Sequence, residues 1–249
     1  AKSQSKILLP VKAPGFALKK LTTREPSEDM LEVAIAAFKK VYEMDADPSV
    51  PETDFTVSKS VQKYTEELKT LFAEKGIDES DAEWLVAMKT GVARSGLAES
   101  DKMLVPSEVK ELDALAGERM AGKPLWYVLG STSFYGYEIK TDARALIPRP
   151  ETEMLAELAI KTAEDGNSVL DLCTGSGCIA VAVANETKKQ GKSVKVTASD
   201  ISADALALAA ENVKANGAEV ALVESDLLSG IRGKFDVIVC NPPYIKRGD

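Results

Sequence analysis

"SVLDLCTGSGCIA", residues 168–180, is an apolar run that breaks into a glycine-rich turn and resumes as a second apolar run. Ser168 to Leu172 have the length and character of a buried strand, and the turn after them predicts a helix from about Cys178. Glycines at 175 and 177 suit a turn whose backbone N–H groups approach a ligand, where a side chain would stand in the way. The segment Gly175 to Ala180 fits the G-x-G-x-x-G/A pattern, so a dinucleotide is a candidate ligand. Alone this pattern is a weak signal.

The alternation continues downstream. Strand "VKVTAS" (194–199) leads into a helix holding Leu206 and Val213, and strands "VALVE" (220–224) and "FDVIVC" (235–240) follow. Strand and helix alternating through short connections predict an α/β fold with a parallel, doubly wound sheet. Asp200 ends the second strand, where an acid bonds the two ribose hydroxyls of a nucleoside. The competing reading is a helix N-cap, since "DISADAL" also starts a helix. Asp226, after the third strand, reads as a contact to the adenine end or as a turn residue. The lysines of "KKQGKSVK" (188–195) read as a solvated loop.

The fourth strand runs straight into Asn241-Pro242-Pro243-Tyr244. Two prolines end a ladder, because neither has an N–H and both fix φ, and they force Asn241 into an extended conformation. In a doubly wound sheet this corner falls at the ligand crevice. An amide beside a proline carbonyl makes a fork that can accept both N–H bonds of a planar –NH2 group, with Tyr244 stacked over it. The alternative is a bare strand terminator. The chain has no histidine, which removes histidine bases, triads and zinc sites. A dehydrogenase usually needs a proton relay. A sulfonium methyl donor needs little acid–base work, and the protein's task is then positioning and desolvation.

Upstream, residues 1–50 read as a separate extension, with Ser27 capping a helix that carries Leu31, Ile35, Phe38 and Tyr42 on one face. An acidic, proline-broken linker covers 44–54. Over 51–123 three apolar stripes predict a small helical domain. They are Val57, Val61, Tyr64, Leu68 and Leu71 with a Gly76 cap; Trp84, Leu85, Met88 and Val92; and Val109, Leu112 and Leu115 opened by Pro106. Residues 124–153, rich in aromatics, Gly and Pro, read as a hairpin-like connector, and a helix with Leu155 and Leu158 follows it.

At 249 residues the chain has room for one or two domains. Its net charge of −8 argues against a broad basic face gripping nucleic-acid backbone. Cys173, Cys178 and Cys240 lack metal-like spacing and suit a reducing cytosol, and no metal is expected. The uncharged stretch between Asp171 and Glu186 is too short to span a bilayer, and "ILLPV" is too short for a signal sequence.

The run "GKPLWYVLGSTSFYGYEIKTDARALIPRPETE" (122–153), with "VLDLCTGSGCIA", "SDIS", "SDLL" and "CNPPYI", resembles the HemK/PrmC family over about residues 60–246. The resemblance implies a class I methyltransferase of Rossmann-like fold preceded by a helical, substrate-recognising domain. It implies S-adenosyl-L-methionine as cofactor and methylation of the side-chain amide N5 of the glutamine in the Gly-Gly-Gln motif of peptide chain release factors. A monomeric cytoplasmic enzyme is expected. Carried over by residue, the cofactor loop falls on Cys173, Thr174, Gly175, Ser176 and Gly177, the ribose acid on Asp200, and the adenine-side contacts on Asp226 and Leu227. Asn241 and Pro242 become the catalytic pair, next to the cofactor, and hold the substrate amide together with Pro243 and Tyr244. Phe134, Arg149, Glu151 and Thr152 match family motifs near the cofactor. Cys173 departs from the family's usual glycine, and its side chain must point away from the cofactor or crowd it.

By the same resemblance the sheet of the family has seven strands, four of which precede residue 249, so a fragment of low activity is expected. Residues 1–45 resemble the C-terminal tail of a bacterial membrane-protein family of unknown function, which implies a fused upstream partner; the alternative is an extra amphipathic helix. Two other functions compete: amino-methyl transfer to adenine or guanine in a nucleic acid, and cofactor binding without catalysis.

Overall fold

The computed structural model describes residues 59–243 together with Glu32, Ile35, Ala36 and Lys39. The chain divides into two compact units, Ala1–Phe55 and Thr56–Asp249. In the first, the four described residues are helical and exposed. Leu31, Phe38 and Tyr42, the 44–54 linker, Val57 and Tyr244 lie outside the described residues.

The second unit opens with four helices. Strand β1 (Lys59–Ser60) pairs antiparallel with β2 (Met103–Leu104) and brackets the first two of them. Helix α1 (Val61–Glu74) starts where Ser60 Oγ accepts from the N–H of Lys63. It buries Val61, Tyr64, Leu68 and Phe72; the last takes the inward position expected of Leu71, which stays exposed. Helix α2 (Glu79–Thr90) is capped by Asp78 and stopped by Gly91 in the left-handed region at φ 70°. Helix α3 (Pro106–Met120) begins at its proline, and Glu108 reaches back to the N–H of Val105. A short helix α4 (Leu125–Leu129) interrupts the stretch expected to be connector only. These helices share an apolar core built on Phe72, Leu85, Leu104 and Leu112.

After α4 the strands β3 (Ser131–Phe134) and β4 (Tyr137–Lys140) form a hairpin. Its two-residue turn, Tyr135-Gly136, has positive φ at both positions (52° and 80°), the backbone of a type I′ turn. Helix α5 (Thr152–Thr162) follows, and then β5 (Ser168–Leu172), α6 (Cys178–Lys189), β6 (Lys195–Asp200), α7 (Ala203–Ala215), β7 (Val220–Glu224) and β8 (Val237–Cys240). The sheet has order β7-β6-β5-β8 and every pair is parallel. The order reverses at β5, with Leu172 opposite Ser199 on one side and opposite Cys240 on the other. That reversal is a topological switch point, the place where open α/β sheets take ligands.

Alanine faces set the helix packing. α7 buries Ala205, Leu208, Ala209 and Asn212, while Leu206 and Val213 are only half-buried. α5 buries Ala156, Ala159 and Ile160 and leaves Leu158 exposed. Gly177, at φ 79°, opens α6 where an added Cβ would come within 3.0 Å of Ala209 Cβ. Its bare α-carbon lets α6 and α7 approach. Lys188 and Lys189, read as part of a solvated loop, sit in the last turn of α6 and pair with Glu219 and Glu186.

Candidate active site

Four residues, Cys173 to Ser176, carry the chain from β5 towards α6 across the switch point. The turn is held from three sides. Thr174 N–H donates to the Ser199 carbonyl at 2.9 Å, and Gly175 N–H donates to Asp200 Oδ2 at 2.9 Å. From below, Asn212 Nδ2 donates to the Ser176 carbonyl at 2.9 Å. The same Asn212 amide accepts from Lys140 N–H at 2.7 Å and donates to the Lys140 carbonyl, so β4, α7 and the turn meet in one buried side chain.

Asp171, at the end of β5, is almost wholly buried. Its Oδ2 accepts from Thr174 Oγ1 and from the Ala180 N–H, and Oδ1 has no hydrogen-bond partner. Burial lifts its carboxyl to about 7 against the pull of those two bonds, and the Asp200 charge adds to the rise. Cys173 has φ 60°, a left-handed backbone. Burial first, then the neighbouring Cys240 thiol, pushes the Cys173 thiol up to about 11, and Cys240 is raised by burial too. Both thiols therefore stay protonated at neutral pH.

A cavity of about 60 Å3 joins this turn to the corner after β8: Cys173, Thr174, Gly175 and Ser176 line one side and Asn241 another. Its roof is the connector Leu146-Ile147-Pro148-Arg149 with Thr152. The connector is tied down at several points. Tyr127 Oη donates to the Ala145 carbonyl at 2.8 Å, and Arg144 bridges Asp142 and Glu211. Glu153 accepts from the Tyr135 N–H at the hairpin tip, and Asn241 Nδ2 donates to Thr152 Oγ1 at 3.4 Å.

The residues singled out in the sequence thus fall into groups. Cys173, Thr174, Gly175, Ser176, Arg149, Thr152 and Asn241 share the cavity. Asp200 does not line it but is bonded to its wall at Gly175: each carboxylate oxygen takes one backbone N–H (Gly175 and Ser202) and has capacity for a further bond, and the N-cap of α7 is Ser202 instead. Asp226 and Leu227 are exposed beyond β7, and Pro242 and Pro243 follow Asn241. Glu151 is exposed just before α5. Gly177 serves helix packing, and Phe134 lies in the core of the sheet layer. Sequence reasoning passed over Leu146, Ile147, Pro148, Cys178 and Ile179 as cavity walls. The proline-flanked apolar run between hairpin and helix was the available signal.

Comparison with known proteins places this geometry. Residues 150–249 match the methyltransferase small domain, residues 64–130 the PrmC N-terminal domain, and residues 1–44 a protein family of unknown function, DUF1385. The release factor glutamine methyltransferase of Chlorobaculum tepidum is 39 % identical over 209 residues, covering 76 % of this chain and 70 % of the relative. The chain belongs to the release factor glutamine methyltransferase family. Another member, from Geobacter sulfurreducens, is 37 % identical over 194 residues, covering 76 % of this chain and 67 % of its own. The member from Streptococcus pneumoniae is 49 % identical over 130 residues; 52 % of this chain is covered, and the chain spans 45 % of that relative. Among solved structures, a methyltransferase from Agrobacterium tumefaciens described as SAM-dependent aligns at 25 % identity with a TM-score of 0.38, covering 45 % of this chain and 39 % of that one.

The fold is that of an α/β class I methyltransferase with a helical N-terminal region. The methyl donor of the family is S-adenosyl-L-methionine, and the residues present fit it. At Gly175 an added Cβ would meet only Ala145 Cβ, at 3.9 Å, so backbone lies open to a ligand there. Asp200 keeps acceptor capacity at the strand end where ribose hydroxyls are bound in such sheets. The enclosed volume is well below the roughly 300 Å3 of a pocket that swallows a ligand. Among the described residues no helix is long and apolar enough to cross a membrane.

Proposed function

We propose that the protein transfers a methyl group from S-adenosyl-L-methionine to the side-chain amide nitrogen of the glutamine in the Gly-Gly-Gln motif of peptide chain release factors. The observation that carries this reading is the pairing of β8 with β5, through which Asn241 and the glycine-rich turn share one cavity. Family membership supplies the substrate class.

When bound, the cofactor supplies a methyl group already activated by its sulfonium. In this reading Cys173 to Ser176 and Asp200 hold it. The Asn241 side-chain oxygen and the Pro242 carbonyl accept the two N–H bonds of the substrate amide. An amide nitrogen is a poor nucleophile because its lone pair is shared with the carbonyl. Two acceptors on its hydrogens favour a localised lone pair, and exclusion of water strengthens both contacts. Thr152, bonded to Asn241, steadies the amide's orientation. The proton leaves to solvent after transfer, in keeping with a chain without histidine. The helical block recognises the protein substrate, a single copy of the chain suffices, and the cytoplasm is the proposed compartment.

The test is the mass of a purified release factor after incubation with the protein and S-adenosyl-L-methionine. One added methyl on the Gly-Gly-Gln glutamine is expected. An unmodified release factor, with cofactor binding demonstrated by calorimetry, would overturn the reading; methyl transfer to RNA or DNA would then favour a nucleic-acid substrate, and no transfer to either would favour cofactor binding without catalysis.

A further inference from the structure

A second cavity, of about 410 Å3, lies beside the candidate active site and takes no part in the reading above. Its walls include Trp84 and Met88 of α2, Trp126 of α4, Ser133 of β3, and Pro150. The two indoles meet edge to face, with centroids 5.1 Å apart, and Arg94 lies 4.4 Å from the Trp84 ring centre. They are the only tryptophans in the chain. Of the stripe Trp84, Leu85, Met88 and Val92 that reads as helical core, Leu85 is buried and Trp84 and Val92 pack half-buried against the core, whereas Met88 is 46 % exposed. Rigid aromatic faces beside an adaptable methionine are the composition of a protein-binding hot spot.

The hairpin adds a second element. Phe134 and Tyr137 close the two-residue turn, and Thr141 N–H donates to the Gly130 carbonyl, so the bonded pairs of the ladder fall on 134, 132 and 130. Ser131 and Ser133 therefore turn their N–H and C=O groups to the outer edge of β3, where no strand pairs with them among the described residues. An extended peptide added to such an edge gains main-chain hydrogen bonds and sends alternate side chains to one face.

Continuity names the occupant. Pro150 walls this cavity, while Arg149 and Thr152 of the same segment wall the one containing Asn241. A polypeptide that presents a glutamine to Asn241 has its neighbouring residues at this shared wall. Resting on the glutamine-methyltransferase reading, we propose that the β3 edge and the Trp84–Trp126–Met88 cavity form a docking groove for an extended segment of the substrate protein flanking the target glutamine, with a large apolar side chain in the cavity.

The two tryptophans report on the groove directly. The test titrates the protein with a tryptophan-free peptide spanning the Gly-Gly-Gln glutamine and its flanks, with S-adenosylhomocysteine present to prevent turnover, and follows indole emission beside calorimetry. Two variants leave the helical core and the ladder intact: Met88→Glu places a charge in the groove, and Ser133→Pro removes one outward N–H. The expected result is a saturable emission change, with affinity lowered at least tenfold in both variants. Their melting temperature and S-adenosylhomocysteine affinity stay unchanged, and KM for the intact release factor rises with kcat preserved. Binding with silent tryptophans, or variants equal to the parent in KM, would overturn the groove while leaving the methylation reading in place. An emission change that follows protein concentration without peptide would overturn it in favour of a contact between copies. Absence of methyl transfer by the parent protein to a release factor would overturn both readings together.

Discussion

Cys173 holds a backbone conformation, φ 60°, that costs an L-residue roughly 1–2 kcal/mol. The glycine that the sequence resemblance implies for this position would hold the same conformation without that cost. Cys173→Gly relieves the strain, but glycine's freer unfolded chain takes back about 0.4–1 kcal/mol, so stability should change little. The gain belongs to the cavity, and several-fold tighter S-adenosyl-L-methionine binding by calorimetry is expected; unchanged affinity would show that the thiol points clear of the ligand. Asn241→Ala should slow methyl transfer at least about a hundredfold while cofactor affinity holds, and parallel loss of both would make Asn241 a structural residue. Asp171 carries a pH signature. Its folded-state value of about 7 stands above its unfolded one near 3.9, so its stabilising contribution is full below about pH 4 and is lost as pH rises through 7. Asp171→Asn cannot ionise. The melting temperature of the variant should therefore gain on the parent between pH 5 and pH 8, and a pH-independent gap would refute the assignment.

At the scale of elements, strands were more legible in the sequence than helix faces. The strands at 168–172 and 220–224 match their expected bounds, because each is a short apolar run closed by turn residues. Helices through Leu155 and Leu158 and through Leu206 and Val213 were expected, but their inward faces were not assigned. α5 and α7 bury alanines, whose small side chains let a helix lie close to its neighbours, while Leu158 is exposed and Leu206 half-buried. The roof of the cavity was legible only as a proline-flanked apolar run: long-range bonds such as Tyr127 to Ala145 help place Leu146 to Pro148 over the cavity, and they leave no local pattern. Asn212 is the element-scale joint. Asn212→Ala strands the buried Ser176 carbonyl, at about 1–3 kcal/mol, and releases the part-buried backbone groups of Lys140, which water can reach more cheaply. A lower melting temperature together with weaker cofactor binding is expected. Weakened folding with intact binding would show that the turn keeps its shape without the staple.

For the whole molecule, the balance of 31 basic against 39 acidic residues sets the expected partners. A protein that neutralised many phosphates would need a basic face, and its affinity would fall steeply with salt. Electrophoretic titration with a short RNA at physiological ionic strength should show no binding tighter than about 10⁻⁴ M; micromolar binding with a steep salt slope would favour the nucleic-acid alternative. The parallel arrangement of the sheet also bears on how the molecule assembles. β5 finds β6 after one intervening helix, but its other partner, β8, arrives only after two helices and two further strands. Closing the longer loop costs more chain entropy, and pairings between distant segments are slow. In refolding from denaturant, helical signal should return before cofactor affinity does. Until β8 docks, the glycine-rich turn and Asn241 do not face each other, so catalytic competence is the last property the chain acquires.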